Sequence, residues 1–338
     1  MKDLGDQQKP NNQSPVKLNL SERDSSPGSV YSSLGISAND VWDGKNFDAL
    51  LKDTLDYYDL LNYSRQSLIP YYEWAIYGDP QSTAIISEHD FQRRNRIMYS
   101  LAALGEYVAR RGGRVLNLGC GCGCDSLPLA MMGAQVMAVD GTQSAIALAR
   151  EVTSATKLAN QVALYHSETK QFLQHAIAND LTFEAIVCAF SLSGMPDLTE
   201  TFKFIARLLR PGGYLYIADS PPMRSSLYQN GRLHLVQQRI LEERTFQVLK
   251  TYFQDDETNR YIGQAMMAAS LQVVYSSRTQ FPQDDYYAET IGRVPTNSSE
   301  AVLPLNDARL SIYIDRMRSG LAVALSPLCK GLLTPNES

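Results

Sequence analysis

The stretch VLNLGCGCG at residues 115–123 is an apolar strand that runs directly into a loop of alternating glycines. A second apolar run, QVMAVD at residues 135–140, ends on a carboxylate about 20 residues after the first of those glycines. Glycine lets a backbone approach a ligand closely, and the carboxylate can accept hydrogen bonds from both hydroxyls of a ribose. The two segments therefore predict a pocket for a nucleoside.

Strand and helix patterns alternate from this loop onward, which is typical of a parallel sheet with helices on both faces. Two further apolar segments are separated by a turn, so we expect the last strand to run antiparallel to the one before it. The fold class is therefore α/β with a mostly parallel seven-stranded sheet. The predicted strands cover residues 114–118, 135–139, 162–166, 183–190, 214–218, 271–281 and 286–291, and the helices between them begin near Asp125 and cover 144–155 and 198–209.

Segments outside this alternation suggest additions to the core. Residues 1–35 are rich in Pro, Ser and Asn and predict a disordered tail. Residues 36–110 hold two helical patterns and many aromatic side chains, which favour a helical lid over the main sheet. The core is expected at 111–295, with an insertion at 221–261 that has helical character over 233–252, and a C-terminal extension at 296–338 includes a helix over 307–325.

The spacing of the glycines distinguishes between two kinds of cofactor. A dinucleotide fold uses Gly-x-Gly-x-x-Gly, in which the pyrophosphate lies at the N-terminus of the following helix. Here the third glycine, Gly123, comes one residue early, and Asp125 in the first turn of the helix would repel a pyrophosphate. S-adenosylmethionine has no phosphate and needs no such anion site.

With these motifs the chain resembles the class I S-adenosylmethionine-dependent methyltransferases, which have a Rossmann-like fold. The resemblance covers about residues 110–220 and rests on four motifs in order. They are LGCGCG at 118–123, VMAVD at 136–140, the strand at 183–190, and LLRPGGYL at 208–215. It implies a small-molecule methyltransferase that uses S-adenosylmethionine.

The resemblance also implies which residues hold that cofactor. The glycine loop lines the methionine part, Asp140 binds the ribose hydroxyls, and the residues after the third and fourth strands reach the adenine and the rest of the cofactor. The implied set is Asn117, Gly119, Cys120, Gly121, Asp140, Gly141, Thr142, Glu168, Thr169, Ala189, Phe190 and Ser191. Asn117 stands where the family usually has Asp or Glu to hold the ammonium group, and it offers a carbonyl acceptor without the charge.

Methyl transfer is an in-line displacement in which the protein mainly aligns the nucleophile and excludes water. A base is needed only where the nucleophile keeps a proton, and His234 and His89 are the first candidates among the four histidines. Tyr71 and Tyr72 are candidate substrate contacts, because a phenol offers an apolar face and a polar tip. Aromatic walls and a long insertion favour a natural product or lipid-like molecule as the methyl acceptor.

Composition limits the other functions. The net charge of the 338-residue chain is −5, which argues against nucleic acid as the main partner, and no apolar run approaches the ~20 residues that span a bilayer. An odd count of five cysteines without a signal peptide predicts a cytoplasmic location, and the alternation of Cys120, Cys122 and Cys124 is unsuited to a metal site. The oligomeric state is not indicated.

Two alternatives stay open at this point. One is an oxidoreductase that binds NAD on the same sheet. The other is a methyltransferase-like scaffold protein with weak or no turnover, which the departure at Asn117 motivates.

Overall fold

A computed structural model describes residues 45–60, 68, 75, 88–192, 195, 197–219, 232–241, 243–253, 258–280, 286–296, 303, 305 and 309–329. The predicted tail at 1–35 and the candidate substrate contacts Tyr71 and Tyr72 lie outside these residues.

In chain order the elements are α1 (Phe47–Leu60), α2 (Glu88–Arg110), β1 (Arg114–Leu118), α3 (Ser126–Met131), β2 (Gln135–Asp140), α4 (Gln143–Ala155), β3 (Val162–His166), α5 (Thr169–Ala178), β4 (Phe183–Ala189), α6 (Leu198–Leu208), β5 (Leu209–Asp219), β6 (Arg232–Leu241), β7 (Arg244–Phe253), α7 (Thr258–Ala268), β8 (Gln272–Gln280), β9 (Tyr286–Arg293) and α8 (Arg309–Cys329).

Seven of the described strands form one sheet in the order β3-β2-β1-β4-β5-β9-β8. The first five of them are parallel, and β9 runs antiparallel to both β5 and β8. This arrangement confirms the predicted α/β fold with a mostly parallel sheet and an antiparallel last strand. Because β1, β2 and β4 are parallel neighbours, their carboxyl ends bring the glycine loop, Asp140 and Phe190 to the same edge of the sheet.

The core lies on both faces of this sheet because neighbouring residues of a strand point in opposite directions. Leu116 of β1 belongs to a buried cluster with Phe172 of α5 and Phe202 of α6. Its neighbour Val115 belongs to a second cluster with Leu104 of α2 and Leu129 of α3. Full burial of each such side chain stabilises the fold by about 1.5–3 kcal/mol, so the strand is fixed by apolar packing on both faces.

The insertion after β5 differs from the prediction. Residues 233–252 were expected to be helical, but β6 and β7 form a two-stranded antiparallel sheet with Leu241 opposite Arg244. Two residues connect the strands, and the second, Glu243, has a φ of 62°. Two-residue hairpins commonly need a positive φ and usually show Asn-Gly or Asp-Gly there, so a glutamate at position 243 gives no sequence signal of the turn.

Other elements were missed or lie at slightly different positions. Helix α7 was not predicted, while the predicted C-terminal helix is present as α8. Helix α2 packs in the core, since Ile97 and Val108 lie in the same buried cluster as Val115. The division of the chain at residues 110 and 295 into lid, core and extension stays a prediction.

Candidate cofactor-binding site

The loop between β1 and α3 is built for close approach of a ligand. Gly119, Gly121 and Gly123 have φ angles of 71°, 53° and 84°, in the left-handed region that side chains disfavour. A Cβ at Gly119 would also run into the side chain of Ser191, which follows β4. The loop is fixed to the sheet because the backbone nitrogens of Gly119 and Cys120 both donate to the Val139 carbonyl, at 2.8 and 3.0 Å.

The carboxylate of Asp140 organises the end of β2. Its Oδ2 accepts a hydrogen bond from the Gly121 nitrogen at 2.8 Å. Its Oδ1 accepts two from Thr142, from the backbone nitrogen at 2.9 Å and from the hydroxyl at 2.5 Å. A carboxylate offers about four acceptor positions, so Asp140 can hold the loop and still accept from a ligand hydroxyl.

A cavity of about 350 Å³ opens beside these residues at the carboxyl edge of the sheet, at the small end of the range for ligand pockets. One part of its wall is polar and comes from the loops after β1, β2, β3 and β4, and the other part is largely apolar and comes from α1 and β7. It is lined by Phe47, Leu51, Thr54, Leu55, Tyr58, Gly119, Asp140, Gly141, Thr142, Glu168, Thr169, Lys170, Phe190, Ser191, Met195, Asp197, Glu200, Thr201 and Leu249.

Eight of the twelve residues expected to hold the cofactor line this cavity. They are Gly119, Asp140, Gly141, Thr142, Glu168, Thr169, Phe190 and Ser191. The other four lie beneath or beside it: Asn117, Cys120 and Ala189 are buried, and Gly121 meets the cavity only through its bond to Asp140. Binding by these twelve residues stays a prediction.

Asn117 is buried under the glycine loop with only 1% of its surface exposed. Its Nδ2 donates to the hydroxyl of Ser126 in the first turn of α3 at 2.9 Å. Its Oδ1 has no hydrogen-bond partner in the described part of the chain. A buried acceptor without a donor is costly, so the loop region offers one neutral acceptor to a ligand donor or a water.

Phe190 follows β4 in an unusual backbone conformation, with a φ of 54°. A bulky side chain rarely adopts this conformation, which costs of order 1–3 kcal/mol. Its nitrogen donates to the Ala218 carbonyl of β5 at 2.8 Å, which holds the turn in place. The ring is thereby presented to the cavity, and 37% of the residue's surface is exposed.

The charge of the cavity wall favours a cation. Its described ionisable side chains are four acids and one lysine. Asp125 is the N-cap residue of α3, the position where a dinucleotide fold would place a pyrophosphate. The wall and the glycine loop therefore fit a sulfonium and an ammonium group and do not fit a diphosphate.

The three thiols of the loop are buried, and the pKa values of two of them are raised. Burial, and next the negative charge of Asp140, raise the pKa of Cys120 well above its usual value. Cys122 Sγ and Cys124 Sγ are 3.5 Å apart, and the hydrogen bond between them, followed by burial, raises the pKa of Cys124. These are properties of small packing side chains, since a nucleophile or a metal ligand needs the thiolate.

The two histidines predicted as bases lie in two different elements. His234 is on β6, opposite Thr251 of β7, and His89 is in the first turn of α2. Their role as bases stays a prediction. Of the other two, His166 contacts the Gly141 carbonyl through Nε2 at 3.1 Å, and His175 is exposed on α5.

The apolar part of the wall comes from the segment that was predicted as a helical lid, but none of its residues was predicted individually as a site residue. Phe47, Leu51, Leu55 and Tyr58 of α1 lie at helical spacing on one face and line the cavity. Which part of the site α1 covers depends on its packing against β7 and α4, and both of these elements are far from α1 in the sequence. No local pattern carries that information.

Part of the chain matches a known family of domains. Residues 109–261 match a family model described as "Methyltransferase domain". These residues, which carry the glycine loop and all five parallel strands from β1 to β5, therefore form a methyltransferase domain. The match also favours methyl transfer over the NAD-dependent alternative.

Two curated relatives and one solved structure illustrate the similarity. The chain is 34% identical over 119 residues to a ubiquinone biosynthesis O-methyltransferase of Xanthomonas oryzae pv. oryzae, covering 33% of this chain and 47% of that protein. It is 28% identical over 179 residues to Methyltransferase GfsG of Streptomyces halstedii, covering 52% of this chain and 61% of that protein. The CcbJ methyltransferase from Streptomyces caelestis aligns at 18% identity with a TM-score of 0.41, covering 60% of this chain and 89% of that chain. The chain thus spans about half the length of the first of these curated relatives.

Proposed function

We propose that this protein transfers a methyl group from S-adenosylmethionine to a small organic molecule, a natural product or a lipid-like compound. The observation that carries the proposal is the two-part cavity at the carboxyl edge of the sheet. Its polar part has a carboxylate after β2 and a glycine loop without a phosphate site, and its apolar part comes from α1 and β7.

In this proposal the chain's residues bind and orient. Bound S-adenosylmethionine supplies an electrophilic methyl group on a sulfonium. Asp140 accepts from the ribose hydroxyls, the backbone of Gly119 lies along the methionine part, and Glu168 accepts from the adenine amine. Asn117 Oδ1 accepts a hydrogen bond from the ammonium side, directly or through a water. Phe190 lies near the reacting centre, where an aromatic face attracts a cation.

An apolar acceptor is supported by the wall that α1 and β7 provide. Leu51, Leu55 and Leu249 offer no hydrogen-bonding groups, so they discriminate little between polar substituents. The match to a ubiquinone biosynthesis O-methyltransferase supports an organic acceptor of this kind. His234 or His89 acts as the base if the acceptor keeps its proton, and Tyr71 and Tyr72 contact the acceptor.

The net charge of −5 and the acidic cavity wall support a small molecule over nucleic acid as the acceptor. The odd number of cysteines supports a cytoplasmic location. As to the membrane, none of the described helices is long and apolar enough to cross one.

The test is transfer of a labelled methyl group. The purified protein is incubated with methyl-labelled S-adenosylmethionine and a cell extract, and the extract is separated into small molecules, protein and nucleic acid. Label in an organic-extractable compound is the expected result, and mass spectrometry then identifies the acceptor. Label only in protein or nucleic acid would contradict the proposal.

A scaffold function is the second candidate, and the neutral Asn117 is the observation that favours it. If the wild type binds the cofactor but neither it nor Asn117→Asp labels any acceptor, the scaffold is supported. Label in an extractable small molecule eliminates it.

A further inference from the structure

Helix α1 is held over the cavity by a contact with the helix that follows Asp140. The backbone nitrogen and the hydroxyl of Ser144 both donate to Asp59 Oδ1, at 2.9 and 2.7 Å. Ser144 lies in the first turn of α4, and Asp59 lies in the last turn of α1. The two helices therefore meet at the point where the cavity is lined by Gly141 and Thr142.

This contact replaces a cap that α4 lacks. Thr142 is the N-cap residue of α4, but its side chain makes no capping bond, because its hydroxyl donates to Asp140. The first-turn nitrogens of a helix need acceptors, and an acid there is stabilised by the helix dipole. Asp59 supplies that acid from another helix.

The same acid is poorly placed in its own helix. A carboxylate in the last turn faces the negative end of the dipole of α1. Asp59 is therefore stabilised at this position only while α1 is docked on α4. Its interaction favours the docked arrangement and contributes little to α1 alone.

Docking of α1 closes one wall of the cavity. A Cβ on Gly141 would lie 2.7 Å from Leu55 Cδ2, so the leucine is seated directly on the residue that follows Asp140. At the middle of α1, the Thr54 hydroxyl accepts from the Leu249 nitrogen of β7 at 2.9 Å. The helix is thus held from two sides with its apolar face toward the cavity.

Resting on the proposed function, we propose that Leu55 of α1 forms an apolar cover for the nucleoside part of the cofactor, and that Asp59 and Ser144 are the positioning residues that latch it. The ribose carboxylate Asp140 and the base-side residue Glu168 line the same cavity as Leu55, which places the cover beside the base. The cofactor then enters and leaves only when α1 lifts, and the latch sets how often that happens.

The test measures rate constants for S-adenosylhomocysteine binding by stopped-flow fluorescence. In Asp59→Ala the dissociation rate constant rises at least about tenfold, because two hydrogen bonds to a charged group are lost. Ser144→Ala, which keeps the backbone donor, gives a smaller rise, and the double variant matches Asp59→Ala because the two residues act as one latch. Leu55→Ala weakens the equilibrium affinity.

Asp56→Ala is the matched control. Asp56 is an acid one turn earlier in α1, in an exposed pair with Lys52 at 2.6 Å, and its loss leaves the rates unchanged. Should Asp59→Ala not fold, Asp59→Asn replaces it, with a rise of about threefold since one acceptor oxygen remains.

If the wild type binds S-adenosylhomocysteine but the dissociation rate constant of Asp59→Ala is within twofold of the wild-type value, the latch alone is overturned. An equal rise of this rate constant in Asp56→Ala, or additive effects in the double variant, would also overturn the latch alone. Absence of any binding to the wild type overturns the proposed function, and the latch with it.

Discussion

Gly121 donates its backbone hydrogen bond to Oδ2 of Asp140 at 2.8 Å, so the residue expected to hold the ribose also holds the glycine loop. Two parts of the site that are about 20 residues apart in sequence are thus coupled through one carboxylate. Substitution of either residue changes both the loop and the ligand contacts.

The first prediction concerns Asp140→Ala. The variant loses the ribose acceptor and the hydrogen bonds of Gly121 and Thr142, each to a charged group and each contributing about 1.5–3 kcal/mol. Affinity for S-adenosylmethionine falls at least about tenfold in calorimetric titration. Asp315→Ala on α8, an exposed acid, is the control and binds as the wild type does. An unchanged dissociation constant for Asp140→Ala would mean that the pocket lies elsewhere.

Asn117→Asp separates cofactor binding from stability. A carboxylate buried there is costly without its ligand, although the Ser126 hydroxyl can turn to donate to it. The melting temperature of the ligand-free variant falls by a few degrees, and the increase produced by saturating S-adenosylmethionine is larger than in the wild type. A smaller increase than in the wild type would show that position 117 does not face the ammonium group.

Two glycines test the close approach in the loop. Gly112 has a φ of 62° and open space around it, so Gly112→Ala measures the backbone penalty alone, about 1–2 kcal/mol. Gly119→Ala adds a collision with Ser191 and costs more in urea denaturation. It also weakens cofactor binding, which Gly112→Ala leaves intact. Equal effects of the two variants on cofactor affinity would contradict the proposal that the glycine loop binds the cofactor.

Glu289 of β9 is a stability determinant away from the cavity. It is fully buried and accepts hydrogen bonds from Ser100, Tyr216 and Arg96 at 2.6, 2.8 and 2.8 Å. Glu289→Ala removes the charged acceptor that these three donors share and lowers the free energy of unfolding by about 3 kcal/mol.

The exposed pair of Lys170 and Glu200, 3.7 Å apart, provides the control for that measurement. Glu200→Ala changes the free energy of unfolding by less than about 0.5 kcal/mol. A similar loss of unfolding free energy in both variants would show that the buried hydrogen bonds of Glu289 contribute no more to stability than an exposed ion pair does.

The pH dependence of the free energy of unfolding above pH 9 reports on the buried thiols. Burial raises the pKa of Cys188 from 9.0 to about 12. Between those values the unfolded chain releases a proton that the native protein keeps, so the free energy of unfolding falls by about 1.4 kcal/mol per pH unit for this thiol. Cys120 and Cys124 act with the same sign. Urea denaturation at pH 9 and 10.5 should show a shallower fall in Cys188→Ala than in the wild type, and equal slopes would contradict the account.

The sheet could be predicted from sequence because its signals are local. Each strand from β1 to β5 is a short apolar run with a turn or helix after it, and the glycine loop and Asp140 lie at fixed spacing within one βαβ unit. The start of helix α3 was predicted near Asp125, which is its N-cap residue.

The hairpin, and which residues of the predicted lid face the cavity, could not be predicted because both depend on distant partners. Residues 244–253 become a strand through pairing with β6 and through the bond between Thr54 and Leu249, which are far apart along the chain. Asp59 could not be recognised as a capping residue from the sequence, because the helix that it caps begins at residue 143, far from it along the chain. Its role depends on the three-dimensional contact between α1 and α4.

The site is tested most directly by a crystal structure of this protein with S-adenosylhomocysteine. We expect the ribose hydroxyls at hydrogen-bond distance from Asp140, the base beside Leu55 and Glu168, and the homocysteine part along Gly119. A ligand lodged elsewhere, or a glycine loop closed by packed side chains with the ligand excluded, would contradict this expectation.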